Sequence, residues 1–72
     1  MQYSELTSGE FSYDEAIDFA EDYEVGSPGY RMVASELFDR IESDSSLSNL
    51  QTLKAKKMIK AGQLDEVKDI LE

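Results

Sequence analysis

The sequence predicts an all-α protein, a compact bundle of three to four short helices that forms one small domain. The chain has 72 residues, which is well below the length at which chains divide into domains. Apolar residues recur at helical spacing in four segments, at about 13–24, 28–43, 47–61 and 64–71. Between these segments the chain is rich in Ser, Gly and Asp, residues that cap or end helices.

The first segment of the chain, residues 1–11, shows no firm periodicity and predicts a loosely structured N-terminal arm in which one helical turn can form. After the arm, Ser12 and Glu15 match the capping box, in which the Ser hydroxyl accepts from an early backbone amide and the Glu returns to the amide of the cap. We therefore expect the first helix to begin at Tyr13 and to stop before Gly26.

The second helix has the clearest pattern. Ser27 followed by Pro28 predicts an N-cap with proline at the first helical position, where the missing amide hydrogen does no harm. The apolar residues that follow have the spacing of a core-facing helix. They are Tyr30, Val33, Ala34, Leu37, Phe38 and Ile41. Glu36 and Arg40 are expected to form an i,i+4 ion pair worth about 0.2 to 0.5 kcal/mol.

A third helix is predicted from about Leu47 to Ala61, with Ser46 or Ser48 as its cap. Gly62 then supplies the left-handed residue that commonly ends a helix. The apolar residues after Gly62 predict a short fourth helix that reaches residue 71.

The composition excludes several classes of site. The chain has no His and no Cys, so it lacks the usual proton shuttle, the thiolate nucleophile and the common ligands of transition metals. The acidic residues do not have the register of a calcium-binding loop. We therefore expect a protein that is not an enzyme, with no catalytic residue, no cofactor and no metal site. Without a membrane-span pattern or a signal-peptide pattern, a cytoplasmic location is expected.

The charge is strongly acidic and unevenly distributed. Sixteen Asp and Glu residues against seven Lys and Arg residues give a formal net charge of −9. This balance opposes direct binding to nucleic acid or to an anionic membrane. Residues 1–46 hold twelve acids and two arginines, a balance of −10, and residues 47–72 hold four acids and five lysines, a balance of +1. The two halves of the chain therefore differ in chemical character.

Helix 13–24 carries a continuous acidic face. Five carboxylates fall within an arc of about 120° opposite the apolar residues, at about one charge per 2.4 Å of helix axis, against about one per 1.7 Å of duplex DNA. They belong to Asp14, Glu15, Asp18, Glu21 and Asp22. Such a face is often only solvated, and acids near a helix N-terminus are favoured by the helix dipole. The absence of Lys from this face favours a role in binding.

An alternative is that the protein neutralises this face internally. The third predicted helix carries four positive charges and no acid. They belong to Lys54, Lys56, Lys57 and Lys60. If that helix lay beside the acidic one, the negative potential would be screened by the protein itself.

Other side chains are candidates for contact with a partner. Met32 shares a face of the second helix with Glu36 and Asp39, and an exposed Met beside acids suits a binding surface. Tyr23 follows the carboxylates of the first helix, and tyrosines beside carboxylates suit an arginine-rich surface.

We therefore expect an interaction protein that binds a basic, nucleic-acid-binding partner protein and inhibits it by occupying its nucleic-acid groove. Phages and mobile elements encode inhibitors of this type against CRISPR or restriction machinery. The expected partner-binding residues are Asp14, Glu15, Asp18, Glu21, Asp22, Tyr23, Met32, Glu36 and Asp39. Two alternatives stay open: a helical assembly or self-associating protein, such as a homodimer, whose acidity serves only solubility, and an antitoxin or immunity partner.

Overall fold

The computed structural model describes residues 3–71, and this part of the chain folds into five helices without a strand. In chain order they are α1 (Tyr3–Thr7), α2 (Tyr13–Glu21), α3 (Pro28–Glu42), α4 (Asn49–Ala61) and α5 (Leu64–Leu71). The predicted all-α bundle is confirmed. None of these helices is long and apolar enough to cross a lipid bilayer.

The N-terminal arm contains the helical turn that the sequence allowed, as α1, followed by an irregular stretch. Leu6 in α1 is completely buried, and Phe11 is only 5% exposed. The arm therefore contributes two large side chains to the core, and α1 packs on α3.

Arg40 of α3 holds the arm in place. Its Nη1 atom donates hydrogen bonds to the carbonyl oxygens of Gly9, at 2.9 Å, and Phe11, at 2.6 Å. The guanidinium carbon also lies 5.1 Å from the ring centroid of Phe11 and 5.5 Å from that of Tyr13. The expected pair with Glu36 does not form, so that prediction is wrong. The contacts with two carbonyl oxygens and two aromatic rings stabilise the guanidinium more than a single surface ion pair with Glu36 would.

The helix starts follow the sequence signals. Ser12 and Glu15 form the predicted capping box of α2, and Ser27 caps α3 with Pro28 at its start. The third predicted helix begins two residues later than expected because Ser48 is the cap, and Gln51 completes a second capping box.

Two of the helices end earlier than predicted. The first predicted helix stops at Glu21, with Asp22 as its C-cap, and not at residue 24. The second stops at Glu42, one residue early. Gly62 ends α4 with a φ of 80°, as predicted for a left-handed residue.

A polar loop between α3 and α4 is tied to the start of α2. Asp44 accepts hydrogen bonds from the side chain and amide of Ser46 and, at 2.7 Å, from the Tyr13 hydroxyl. These bonds, from Ser46 first and then from Tyr13, lower the pKa of Asp44 to about 2. Burial, followed by the bond to Asp44, raises the pKa of Tyr13 to about 12.

The core is a single cluster with contributions from all five helices. α2 packs on α3 and α5, and α4 packs on α5 and α3. Four of the fourteen buried hydrophobic residues are alanines, whose small side chains allow close helix packing. The buried Tyr30 hydroxyl donates to the carbonyl of Ile59 and so links α3 to α4. α2 and α4 thus share the neighbours α3 and α5 and are not main neighbours of each other, and one face of each stays exposed.

Candidate functional site

The five carboxylates of the acidic helix face all point to solvent. The apolar residues Ala16, Ile17 and Ala20 are buried. Helical geometry then turns the opposite face outward. Asp14, Glu15, Asp18, Glu21 and Asp22 are all exposed. The surface predicted from the sequence therefore exists as a continuous acidic face on α2.

The acidic face has one internal counterion within residues 3–71, and it comes from α5. Lys68 Nζ lies 2.7 Å from Asp18 Oδ1, and the Asp18 side chain stays 64% exposed. The hydrogen bond to Asp18 first, and then the charges of Asp18, Glu21 and Asp14, raise the pKa of Lys68. Lys68 therefore interacts with three of the five carboxylates of the face and forms an ion pair with one of them, that of Asp18.

The lysines of α4 do not neutralise this face in the described part of the chain. Lys56 pairs with Glu42 of α3 at 2.6 Å. The Nζ atoms of Lys56 and Lys60 also lie 6.0 Å and 5.8 Å, respectively, from the ring centroid of Phe38. The alternative of screening by α4 is therefore not what the structure shows, because the main neighbours of α4 are α3 and α5.

An aromatic edge lies beside the carboxylates. The rings of Phe19 and Tyr23 are 5.8 Å apart at an interplanar angle of 56°. Tyr23 is 40% exposed. A Cβ atom at Gly29 would clash with the Tyr23 ring, so the ring packs on a glycine that leaves room for it. Together, α2 and Tyr23 present negative charge and aromatic surface side by side.

The candidate residues on α3 belong to a different surface. Glu36 and Asp39 line a shallow groove of about 220 Å³ with Arg40 and the arm. Carboxylates of α2 line another, of about 290 Å³, with Phe19. Met32 is 47% exposed. The structure therefore exposes Met32 and Asp39 as expected, leaves Glu36 half-buried, and does not join the α3 residues to the α2 face in one concavity.

Two features of the surface were not predicted from the sequence. Lys68 pairs with a residue fifty positions away, and no local pattern announces such a contact. Leu50 and Leu53 of α4 are 61% and 65% exposed. Their signal was present, because helical spacing places them opposite the buried Ala55 and Ile59.

The acidic face consists of exposed carboxylates with an aromatic edge beside them. Within residues 3–71, no group of three or more acidic side chains is arranged to hold a metal ion. Comparison of the chain with protein-family models, with curated proteins and with solved structures gives no match.

Proposed function

We propose that this protein binds a basic, nucleic-acid-binding partner protein through the acidic face of α2 and competes with the partner's nucleic acid. The observation that carries the proposal is the open state of this face. Of its five carboxylates, only that of Asp18 forms an ion pair with a residue of the described chain. The other four keep their charge available to an outside molecule.

The physical basis of recognition is electrostatic steering followed by burial of aromatic surface. A net charge of −9 attracts a cationic groove over distances comparable to the Debye length, and this attraction accelerates association and weakens with salt. Tyr23, with Phe19 behind it, then offers an amphipathic ring that can stack on an arginine and accept or donate a hydrogen bond.

The pair between Lys68 and Asp18 fits the same mechanism. It lies at the surface, where ion pairs contribute little to stability. A lysine or arginine of the partner can therefore replace Lys68 beside Asp18 without a large loss of folding free energy. The charge density of this face, about one charge per 2.4 Å of helix axis, approaches that of duplex DNA, about one per 1.7 Å, which suits a groove that binds a polyanion.

At a finer level, the proposal places the protein among small acidic inhibitors of the phage and mobile-element type, directed against CRISPR or restriction machinery. An antitoxin or immunity protein that neutralises a basic toxin would use the same face. The acidity and size of the chain support this class by physical analogy.

A second candidate function is self-association or assembly into a larger particle. It is favoured by Leu50 and Leu53, two strongly exposed leucines one helical turn apart on α4. In that case the acidic face would keep the assembled particles soluble.

The test is capture of partners from an extract of the host cell, compared between the natural chain and the variant Asp14→Asn/Glu21→Gln/Asp22→Asn. These three substitutions leave Glu15 in its capping box and Asp18 in its ion pair. We expect the natural chain to retain a basic nucleic-acid-binding protein at low salt, to release it at high salt, and to be displaced by the nucleic acid of that protein. The variant should lose this partner.

The control removes three negative charges elsewhere, at the exposed Glu5, Glu10 and Asp69. Glu5→Gln/Glu10→Gln/Asp69→Asn has the same net charge as the α2 variant and should bind like the natural chain, because its three positions lie outside the α2 face. Equal retention of the same partner by the α2 variant would refute the proposal. A sedimentation experiment that finds only self-association would favour the assembly function.

A further inference from the structure

The exposed face of α4 has a character opposite to that of α2. Leu50 and Leu53 are the two most exposed large apolar residues of the described chain. Lys54 and Lys57 are also exposed and share this face by i,i+3 and i,i+4 spacing. The helix carries no carboxylate between Asn49 and Ala61. This face is therefore apolar and cationic on a protein of net charge −9.

A groove with the same character adjoins α4. Val25, Tyr30, Ala34 and Phe38 supply its apolar walls in a volume of about 260 Å³. The charged residues that line it are both cations, Arg31 of α3 and Lys60 of α4. Lys60 also shares the exposed face of α4 with Leu53 and Lys57 by helical spacing. The groove and the helix face are thus continuous through Lys60.

The pairing of cations within the molecule singles out this surface. Of the seven basic residues, Lys56 and Lys68 pair with carboxylates, and Arg40 is held by carbonyl oxygens. The remaining four form no ion pair among residues 3–71. They are Arg31, Lys54, Lys57 and Lys60, and all four lie on the α4 face or the adjoining groove. A chain with sixteen acids leaves its unpaired cations together beside exposed leucines.

We infer that the α4 face and its groove form a second docking surface, for an acidic amphipathic segment of another protein. Apolar side chains of that segment would cover Leu50 and Leu53 and enter the groove, and flanking carboxylates would meet the four cations. Charge complementarity selects a protein segment over a nucleic acid or an anionic membrane. A few carboxylates match four cations, whereas an extended polyanion would be repelled by the rest of the molecule.

This inference does not rest on the proposed function, because the α2 face and the α4 face have opposite charge and lie on different helices. If both hold, the protein bridges a basic partner on α2 and an acidic partner on α4.

The test uses the full-length, isotope-labelled protein and a synthetic helical peptide of about 16 residues, with Leu at i, i+3, i+4 and i+7 and Glu at the flanking positions. A control peptide carries Lys in place of each Glu. We expect NMR shift changes on titration with the Glu peptide to be confined to α4 and the groove, and binding to weaken between about 50 mM and about 500 mM NaCl. The Lys peptide should not bind this surface.

Two variants locate the interaction. Leu50→Ser/Leu53→Ser should weaken binding of the Glu peptide about tenfold or more. The circular dichroism of this variant protein should be unchanged, because both leucines are exposed. Lys57→Gln should also weaken binding. Ser45→Asp, which produces the same net charge at an exposed loop position, should not.

Three results would overturn the inference. The first is absence of binding, or equal binding of the Glu and Lys peptides. The second is sedimentation as a dimer that is abolished by Leu50→Ser/Leu53→Ser, since the occupant would then be a second copy of the chain. The third is binding to phosphatidylglycerol vesicles, but not to the Glu peptide, that depends on the same leucines, which would assign the surface to a membrane.

Discussion

Replacement of Arg40 by Ala should destabilise the protein far more than an ordinary surface substitution. Arg40 donates to the carbonyl oxygens of Gly9 and Phe11 at 2.9 Å and 2.6 Å, and covers two aromatic rings. A hydrogen bond from a charged donor contributes about 1.5 to 3 kcal/mol when desolvated. Only the bond to Phe11 is partly buried, so we take the lower end of that range for it and little for the bond to Gly9. The two ring contacts add about 0.5 to 1 kcal/mol each.

The sum is a loss of about 2.5 to 3.5 kcal/mol in the free energy of unfolding. A chain of this size without disulfides rarely has a stability above about 3 to 5 kcal/mol. The Tm should therefore fall by about 10 to 30 °C. Urea unfolding and thermal melts followed by circular dichroism measure both quantities. Hydrogen exchange should also show that the amides of residues 3–11 lose protection first, since Arg40 ties the arm to α3.

The control for Arg40→Ala is Arg31→Ala, which removes the same side chain from an exposed position without an ion pair in the described chain. It should change stability by less than about 0.5 kcal/mol. Equal stabilities of the two variants, or an arm whose exchange is unchanged in Arg40→Ala, would show that the carbonyl and ring contacts do not hold the arm.

Glycine substitutions and pH offer further tests. Gly62→Ala should destabilise the protein more than Gly9→Ala in urea unfolding. Both residues have positive φ, at 80° and 79°, but only at Gly62 would a Cβ atom clash with a side chain, that of Val25. Equal losses in the free energy of unfolding would show that the Val25 contact does not matter. The pKa of Asp44, about 2 against an ordinary 3.8, means that its contribution to stability is present above pH 3.8 and is lost as the pH falls towards 2. Asp44→Asn should lack this part of the acid dependence, and an unchanged dependence would contradict the assignment. The pKa of Tyr13, about 12 against 10.0, means the reverse: its contribution is complete below pH 10 and is lost as the pH rises towards 12. The tyrosinate absorbance of Tyr13→Phe and of the natural chain should therefore stay nearly equal until the pH approaches 12, and a difference that develops around pH 10 would contradict the assignment.

The parts of the fold that depend on local sequence could be predicted. Ser12, Ser27 and Gly62 begin or end helices through contacts with residues at most a few positions away. The outward direction of the α2 carboxylates also follows from the helical period and from the burial of Ala16 and Ile17.

The parts that depend on tertiary contacts could not be predicted. The arm gives no periodic signal, and its order depends on the burial of Leu6 and on Arg40, a residue about thirty positions later. The same limit applies to the candidate site. Counting lysines identified α4 as the source of counterions, but the packing of α2 on α5 assigns that role to Lys68.

At the contact between Gly29 and Tyr23, the shape of the surface beside the acidic face can change while its charge does not. Any uncharged side chain at position 29 would compete with the aromatic ring for the same space, yet it would leave every formal charge in place. If the proposed basic partner binds the acidic face, such a change would alter the contour that the partner meets while the long-range attraction stayed constant. The lifetime of that complex would then change while its association rate stayed nearly the same.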